Sequence, residues 1–148
     1  MRIREGVSKE LVKGRKSELA AKAWFEARGH VVQDVALEQA MHDLEVSGLG
    51  RVQVKTCRVE KHGMPNRAPR MQCRLSSGNS GRRYPLGAFE WLCCVFWLKT
   101  GQPRFLLVNE RRLRVRGKPY LAESYHCRMI DAMTQWSSME DVSLWEVA

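Results

Sequence analysis

Polar side chains of three chemical kinds occupy a short predicted β-hairpin in the first half of the chain. Asp43 lies in its first apolar run, while Gln53 and Lys55 lie in the second, beyond the Gly-containing turn at residues 47–50. Because side chains alternate between the two faces of a strand, Gln53 and Lys55 share a face that Asp43 can also reach. Burying a carboxylate, an amide and an ammonium group together is costly unless they pair or bind a metal ion. The pattern therefore predicts a functional site on this hairpin.

An amphipathic helix is predicted ahead of the hairpin, over residues 15–28, and Gly29 is the expected stop. Glu18 lies at the margin of its apolar stripe. The simpler interpretation of Glu18 is a solvated residue that pairs with Lys22 at i+4. The other interpretation is a second carboxylate for the hairpin site. The helix residues expected to face inward are Ala20, Ala23, Trp24 and Ala27.

The whole chain, residues 1–148, is predicted to form one α/β domain without an internal repeat. Residues 1–14 are expected to be loosely held, and residues 60–83 to include a basic loop region. Residues 121–136 predict a second helix. The expected fold is a central mixed β-sheet flanked by the N-terminal helix and this later helix. Besides the hairpin, strands are expected at residues 30–36, 71–75, 89–98, 104–109 and 142–147.

Basic residues are in excess and unevenly placed. The formal charge is +9, from 25 Lys and Arg against 16 Asp and Glu, which is typical of proteins that bind nucleic acid. Residues 51–83 are especially basic and contain Glu60 as their one acid. Such a segment either grips phosphates or is an ordinary solvated loop. The candidate DNA contacts are Arg58, Lys61, Arg67, Arg70, Arg74, Arg82 and Arg83.

Cysteine usage and hydropathy indicate a reducing compartment. The five cysteines are odd in number and contain no CxxC pair, which argues against a disulfide framework and against a zinc ribbon. The N-terminus lacks the apolar core of a signal peptide, and the most apolar run, residues 86–98, is too short to cross a bilayer. We therefore expect a cytoplasmic protein of a bacterial, archaeal or phage-infected cell. Glu90 within that apolar run is expected to be paired or functional.

Taken in chain order, these features resemble the PD-(D/E)xK nuclease superfamily, whose fold is restriction-endonuclease-like. The matching elements are the helix with Glu18, a strand, Asp43, a turn, and Gln53-Val54-Lys55 as a QxK variant. The resemblance covers residues 13–58 well and continues weakly to residue 98. It is nearest to small members such as Holliday junction resolvases and a bacterial intron homing endonuclease.

Two residues depart from the superfamily pattern. His42 stands where the pattern has proline, and Gln53 stands where it usually has an acid. An amide oxygen can still bind a hard cation, but it brings no negative charge. Glu18 therefore gains weight as the second carboxylate.

The resemblance implies a metal-dependent endonuclease that hydrolyses phosphodiester bonds in duplex or branched DNA. Mg²⁺, or Mn²⁺ in its place, would be held by Glu18, Asp43, Gln53 and the backbone carbonyl of Val54. Lys55 would orient the attacking water and steady developing negative charge. A homodimer or larger symmetric oligomer is expected, because one small domain offers one active site. Junction resolution, homing or restriction-like cutting, and DNA repair all remain open.

Two other classes of function also remain open. The first is a nucleic-acid-binding module on the same fold without catalysis. The second is a protein-interaction adaptor whose basic surface binds an acidic partner. DNA cleavage, DNA binding without cleavage, and neither property would distinguish the three.

Overall fold

A computed structural model of the protein describes residues 9–37, 41–60, 70–77 and 82–128. It contains one α-helix, α1 (Lys9–Ala27), and a short 3-10 helix, Glu110–Leu113. No helix in these ranges is long and apolar enough to cross a membrane. The strands in these ranges are β1 (Val32–Asp34), β2 (Leu44–Val46), β3 (Gly50–Thr56), β4 (Arg58–Glu60), β5 (Arg70–Arg74), β6 (Ser76–Ser77), β7 (Arg82–Arg83), β8 (Trp91–Trp97), β9 (Pro103–Asn109) and β10 (Ser124–Arg128).

The central sheet has five strands in the order β1-β2-β3-β8-β9. β3 and β8 are parallel, with Val54 opposite Cys93, and the other neighbours are antiparallel. The predicted hairpin is confirmed, since Leu44 on β2 pairs with Val52 on β3. A second sheet has the order β10-β5-β4, and β6 pairs with β7 as a two-stranded ribbon. The predictions of an α/β fold, an N-terminal helix and a mixed sheet are therefore confirmed.

The central sheet is buried on both faces. One face packs against α1, where Phe25 lies in the same apolar cluster as Val54 and Val95. The other face packs against the second sheet, where Met71 lies in the same cluster as Phe96. β8 contributes alternate residues to both clusters, which explains why its sequence is a continuous apolar run.

The turn between β2 and β3 depends on glycine and on an ion pair. Gly48 and Gly50 have φ angles of +79° and +101°, which side chains strongly disfavour. The Glu90 carboxylate accepts hydrogen bonds from the Arg51 backbone N–H at 2.7 Å and from its guanidinium at 2.9 Å. Glu90 is thus paired, and the pair joins the start of β3 to the start of β8.

Helix α1 is longer than predicted and is rotated relative to the predicted stripe. It begins at Lys9, within the segment expected to be loosely held, and Ala23 and Ala27 are exposed rather than inward. The polar Ser17 is buried, and its hydroxyl is satisfied by two hydrogen bonds. It accepts from Trp97 Nε1 at 2.9 Å and is bonded to the Thr56 hydroxyl at 2.6 Å. Within residues 12–27 of the helix, whose burial is described, the fully buried positions are Ser17, Ala21 and Phe25.

The predicted helix from Leu121 is wrong over the part that the structure describes. Residues 124–128 form β10 instead, which pairs with β5 and places Tyr125 opposite Cys73. The residues there alternate with period two, and Tyr125 packs on the core while exposed His126 pairs with Gln72. The remainder of that predicted helix and the predicted strand at residues 142–147 lie outside the described residues.

The basic segment after β3 differs from prediction in two places. The second hairpin strand does not run on to Val59; it breaks at Cys57, and β4 enters the second sheet. Part of the expected turn at residues 76–83 forms the ribbon of β6 and β7, in which Ser76 pairs with Arg83. Residues 61–69, the middle of the predicted basic loop, lie outside the described residues.

Candidate active site

Asp43 is fixed at the point where β2 separates from β3. Its backbone N–H donates to the Val52 carbonyl at 3.0 Å, and its own carbonyl accepts from the Val35 N–H at 2.9 Å. Its carboxylate oxygen Oδ2 accepts a hydrogen bond from the Val54 backbone N–H at 3.1 Å. The side chain is therefore held against the middle of β3.

The backbone carbonyl of Val54 faces the same edge of β3 as Asp43. Alternate residues of β3 direct their backbone groups to opposite neighbours. The Arg51 carbonyl accepts a hydrogen bond from the Glu90 backbone N–H, and the Cys57 backbone N–H donates to the Val95 carbonyl. The backbone groups of the odd-numbered residues therefore point toward β8. The backbone groups of Val54 consequently point to the β2 edge, where strand pairing ends at Leu44.

The surroundings of the Asp43 carboxyl group disfavour its ionised form. Its pKa is raised to about 6, first by burial and then by the negative charge of Glu18. The Val54 hydrogen bond and the positive charge of Lys55 oppose this rise, and Asp34 adds to it. Three acids thus act on one small region, and a cation bound there would relieve their repulsion.

Glu18 on α1 belongs to an ion-pair network with Arg15 and Asp34 that was not predicted from the sequence. Its carboxylate pairs with Arg15 at 2.9 Å, one turn earlier on the helix. Arg15 also forms two hydrogen bonds to Asp34 on β1, at 2.8 and 3.2 Å. This pairing holds the pKa of Asp34 below its ordinary value. Lys22, the predicted i+4 partner of Glu18, pairs with Glu26 instead. Its Nζ lies 3.7 Å from Glu26 Oε1.

Lys55 is largely enclosed beneath the second sheet. Its ammonium group donates to the Ser76 carbonyl at 3.1 Å and lies 5.4 Å from the centre of the Tyr84 ring. Burial lowers the pKa of Lys55, while the negative charges of Asp43 and Glu18 act in the opposite direction. A lysine with a lowered pKa loses its proton more readily than one in water.

Gln53 is buried, with only 6% of its surface exposed, and lies on the same strand face as Lys55. A buried amide normally makes hydrogen bonds, and its oxygen can accept from a donor or bind a hard cation. The oxygen of Gln53 is the candidate neutral donor of the site.

The structure brings the predicted site residues together in part. Asp43 and Lys55 interact electrostatically, and the charge of Glu18 affects the pKa of both. Reasoning from sequence missed Arg15 and Asp34, whose pairing is set by the helix-to-sheet packing. It also missed the Ser76 carbonyl, which no pattern of side-chain types can indicate.

Several of the predicted DNA contacts line an outer surface of the second sheet. Arg58 on β4 and Arg74 on β5 are exposed and line one groove with Thr56, the last residue of β3. Arg82 and Arg83 on β7 are also exposed, and Arg83 lies 3.5 Å from the Glu123 carboxylate. The side chain of Arg70 is not described. Lys61 and Arg67 lie outside the described residues.

The donor set fits a hard divalent cation. Mg²⁺ prefers carboxylate, carbonyl and amide oxygens together with water. Asp43 supplies a partly buried carboxylate of raised pKa, and the Val54 carbonyl faces the same edge of β3. Gln53 lies on the same strand face as Lys55. Glu18 is available only if it leaves Arg15, and Asp34 would then keep Arg15 paired.

Comparisons with known proteins support the fold. No protein-family model and no curated protein matches the chain. The chain is similar to the solved structure of a bacterial homing endonuclease, I-Ssp6803I, with a TM-score of 0.55 and 14% sequence identity. The match covers 95% of this chain and 88% of that one. The helix, the five-stranded mixed sheet and the second sheet therefore belong to a fold that resembles that of a homing endonuclease.

Proposed function

We propose that the protein is a metal-dependent DNA endonuclease of the PD-(D/E)xK type, in the QxK form. The observation that carries the proposal is the position of the Asp43 carboxylate, which accepts a hydrogen bond at 3.1 Å from the Val54 N–H of the strand that carries Lys55. Burial and the charge of Glu18 raise the pKa of Asp43 there. The likeness to a homing endonuclease fold and the net charge of +9 support the same conclusion.

In this proposal Asp43, Gln53 and the Val54 carbonyl hold Mg²⁺ or Mn²⁺. The bound ion supplies Lewis-acid activation of the phosphate and of a water molecule. Lys55 would orient that water and stabilise developing negative charge, and its lowered pKa makes its proton easier to release than that of a lysine in water. Glu18 would contribute charge at the site, and it would have to leave Arg15 in order to hold the ion.

The proposed DNA path runs over the groove of the second sheet. Thr56 ends the strand that carries Lys55, and Arg58 and Arg74 continue along the same groove. Their guanidinium groups suit phosphate contacts that position a strand without reading its sequence. Two copies of the chain, related by twofold symmetry, would cut both strands of a duplex or resolve a junction.

A nucleic-acid-binding module without catalysis is the second candidate. It is favoured by the ion pair that occupies Glu18 and by Gln53, which replaces a negative charge with an amide. Under this alternative the groove with Arg58 and Arg74 would still bind DNA. Only the metal site would be lost.

The deciding experiment is cleavage of supercoiled plasmid, linear duplex and a four-way junction in Mg²⁺, Mn²⁺ or EDTA. Endonuclease activity predicts nicked or linear products with either metal and none in EDTA. Salt-sensitive DNA binding without cutting in either metal would support the binding module instead. Absence of both cutting and binding at low salt would leave the adaptor function.

A further inference from the structure

Three thiols converge in the core between the two sheets. Cys57 follows β3, Cys73 lies on β5 and Cys94 lies on β8, so each comes from a different strand. Their sulfur atoms all lie within 4.8 Å of one another, and all three residues are buried. The structure records none of them in a disulfide.

The spacing of the three sulfur atoms matches a metal site after a small contraction. Zn²⁺ binds thiolate sulfur at about 2.3 Å, which places sulfur atoms roughly 3.8 Å apart in a tetrahedral site. The three sulfur atoms lie within 4.8 Å of one another, so they would have to approach by up to about 1 Å to reach that spacing. Thiolates select soft cations such as Zn²⁺ and Cu⁺ over the hard cations that carboxylates prefer.

Lys55 is a positive charge close to the three thiols. Its ammonium group interacts electrostatically with Cys73. Three thiolates around a doubly charged ion carry a net charge of about −1, which the Lys55 ammonium would balance. A buried metal site here would therefore be close to neutral.

Cys93 shows that burial alone does not create this arrangement. It precedes Cys94 on β8 and is equally buried, but its side chain joins the helix-side apolar cluster. Cys93 is therefore a matched control for the loss of a buried thiol.

We propose that Cys57, Cys73 and Cys94 form a thiolate site for one thiophilic cation of the zinc type. Binding would release the thiol protons to solvent as the sulfur–metal bonds form. The ion would tie the end of β3 to both sheets, two residues from Lys55. The site is separate from the proposed magnesium site and does not depend on nuclease activity.

The test is metal content and metal affinity of the full chain. The protein is purified with reductant and without chelator, and its zinc and copper are measured by mass spectrometry. The metal-free chain is then titrated with Zn²⁺ against a chromophoric chelator, and with Co²⁺ to record thiolate-to-metal charge-transfer absorption. We expect about one ion per chain, an intense charge-transfer band in the near ultraviolet with Co²⁺, and a higher Tm with Zn²⁺. Copper in place of zinc would assign the same thiolates to Cu⁺.

Single serine variants identify the ligands. Cys57→Ser, Cys73→Ser and Cys94→Ser should each weaken Zn²⁺ binding at least about 100-fold, since loss of groups that only support ligands already costs about 10- to 100-fold. Cys93→Ser should bind as the wild type does.

Two results would overturn the proposal. One is a folded wild-type chain that binds neither Zn²⁺ nor Cu⁺ stoichiometrically at micromolar metal and gives no Co²⁺ charge-transfer band. The other is Cys93→Ser losing as much affinity as Cys94→Ser. The wild-type measurement needs no variant, so it decides the matter even if a serine variant fails to fold.

Discussion

The Asp43 carboxylate is bonded to the Val54 backbone N–H at 3.1 Å, across the gap where β2 and β3 part. One acid is thereby fixed beside the backbone carbonyl of the strand that carries Lys55. The same acid is buried near Glu18, so its ionised form destabilises the fold. A fixed position together with an unfavourable charge marks Asp43 as a candidate functional residue, which agrees with the proposed cation site.

Replacement of Asp43 should stabilise the metal-free protein. The folded-state pKa of about 6 lies above the ordinary value of 3.8, so the protonated form favours folding. The resulting stability is complete below about pH 4 and is lost as the pH rises to about 6. Asp43→Asn keeps an acceptor for Val54 and should raise the unfolding free energy at pH 7.5 by about 1–3 kcal/mol. Urea unfolding in EDTA at pH 4 and pH 7.5 measures this. A less stable variant at pH 7.5 would refute it.

Glu18 should act on Asp43 through its charge. Removing that charge with Glu18→Gln should lower the pKa of Asp43 toward its ordinary value, because the carboxylates repel each other. The pKa is measured by NMR titration of the labelled carboxyl carbon in EDTA. Glu26→Gln is the matched control, since Glu26 lies on the exposed side of α1 beside Lys22. An equal shift in both variants would mean that the interaction is not local.

Lys55 should not be replaceable by arginine. Its lowered pKa follows from burial, and a guanidinium group cannot lose a proton near neutral pH. Lys55→Arg should therefore cut DNA at least about 100-fold more slowly, within the usual range for a proton-transfer group. Lys22→Arg on α1 controls for the substitution itself. Near wild-type cutting by Lys55→Arg would show that Lys55 provides positive charge alone.

The exposed arginines of the groove should set the salt dependence of DNA binding. Each phosphate contact contributes about 0.9 to the slope of log affinity against log salt concentration. Arg58→Ala and Arg74→Ala should each lower that slope by about 1, as measured by fluorescence anisotropy. Arg28→Ala removes the same charge from the end of α1, which covers the opposite face of the central sheet, and should leave the slope unchanged. Equal effects of all three would indicate nonspecific attraction by net charge.

Ser17 should hold α1, and with it Glu18, against the sheet. Ser17→Ala leaves Trp97 Nε1 and the Thr56 hydroxyl without their buried partner, which should cost about 1–3 kcal/mol of unfolding free energy. Ala23→Ser on the exposed side of the same helix should cost much less. Urea unfolding compares the two. A small loss in Ser17→Ala would mean that water replaces the hydroxyl.

The hairpin could be predicted from sequence because its pairing is local. Leu44 and Val52 are eight positions apart, and the glycines between them specify the turn. The buried face of α1 could not be predicted, because Ser17 is polar and its partner Trp97 lies on β8. For the same reason, the pairing of Arg15 with Asp34 appears only once the helix is packed on β1.

The segment from Leu121 was misassigned because short segments satisfy both helical and strand periods. Tyr125 and His126 differ in exposure as in a strand, but pairing with β5 is a long-range property that local sequence does not contain. The three-thiol cluster is hidden for a related reason. Cys57, Cys73 and Cys94 are far apart along the chain and meet only where the two sheets pack.

The central claim is that Asp43 and Lys55 drive metal-dependent DNA cleavage. The most direct test compares single-turnover cleavage in Mg²⁺ by the wild type, Asp43→Asn and Lys55→Met, with DNA binding measured in Ca²⁺. Cleavage by the wild type that falls at least about 1,000-fold in both variants, while their DNA affinity is retained, is the predicted result. Wild-type cleavage rates in either variant, or no cleavage by the wild type of any DNA substrate, would contradict it.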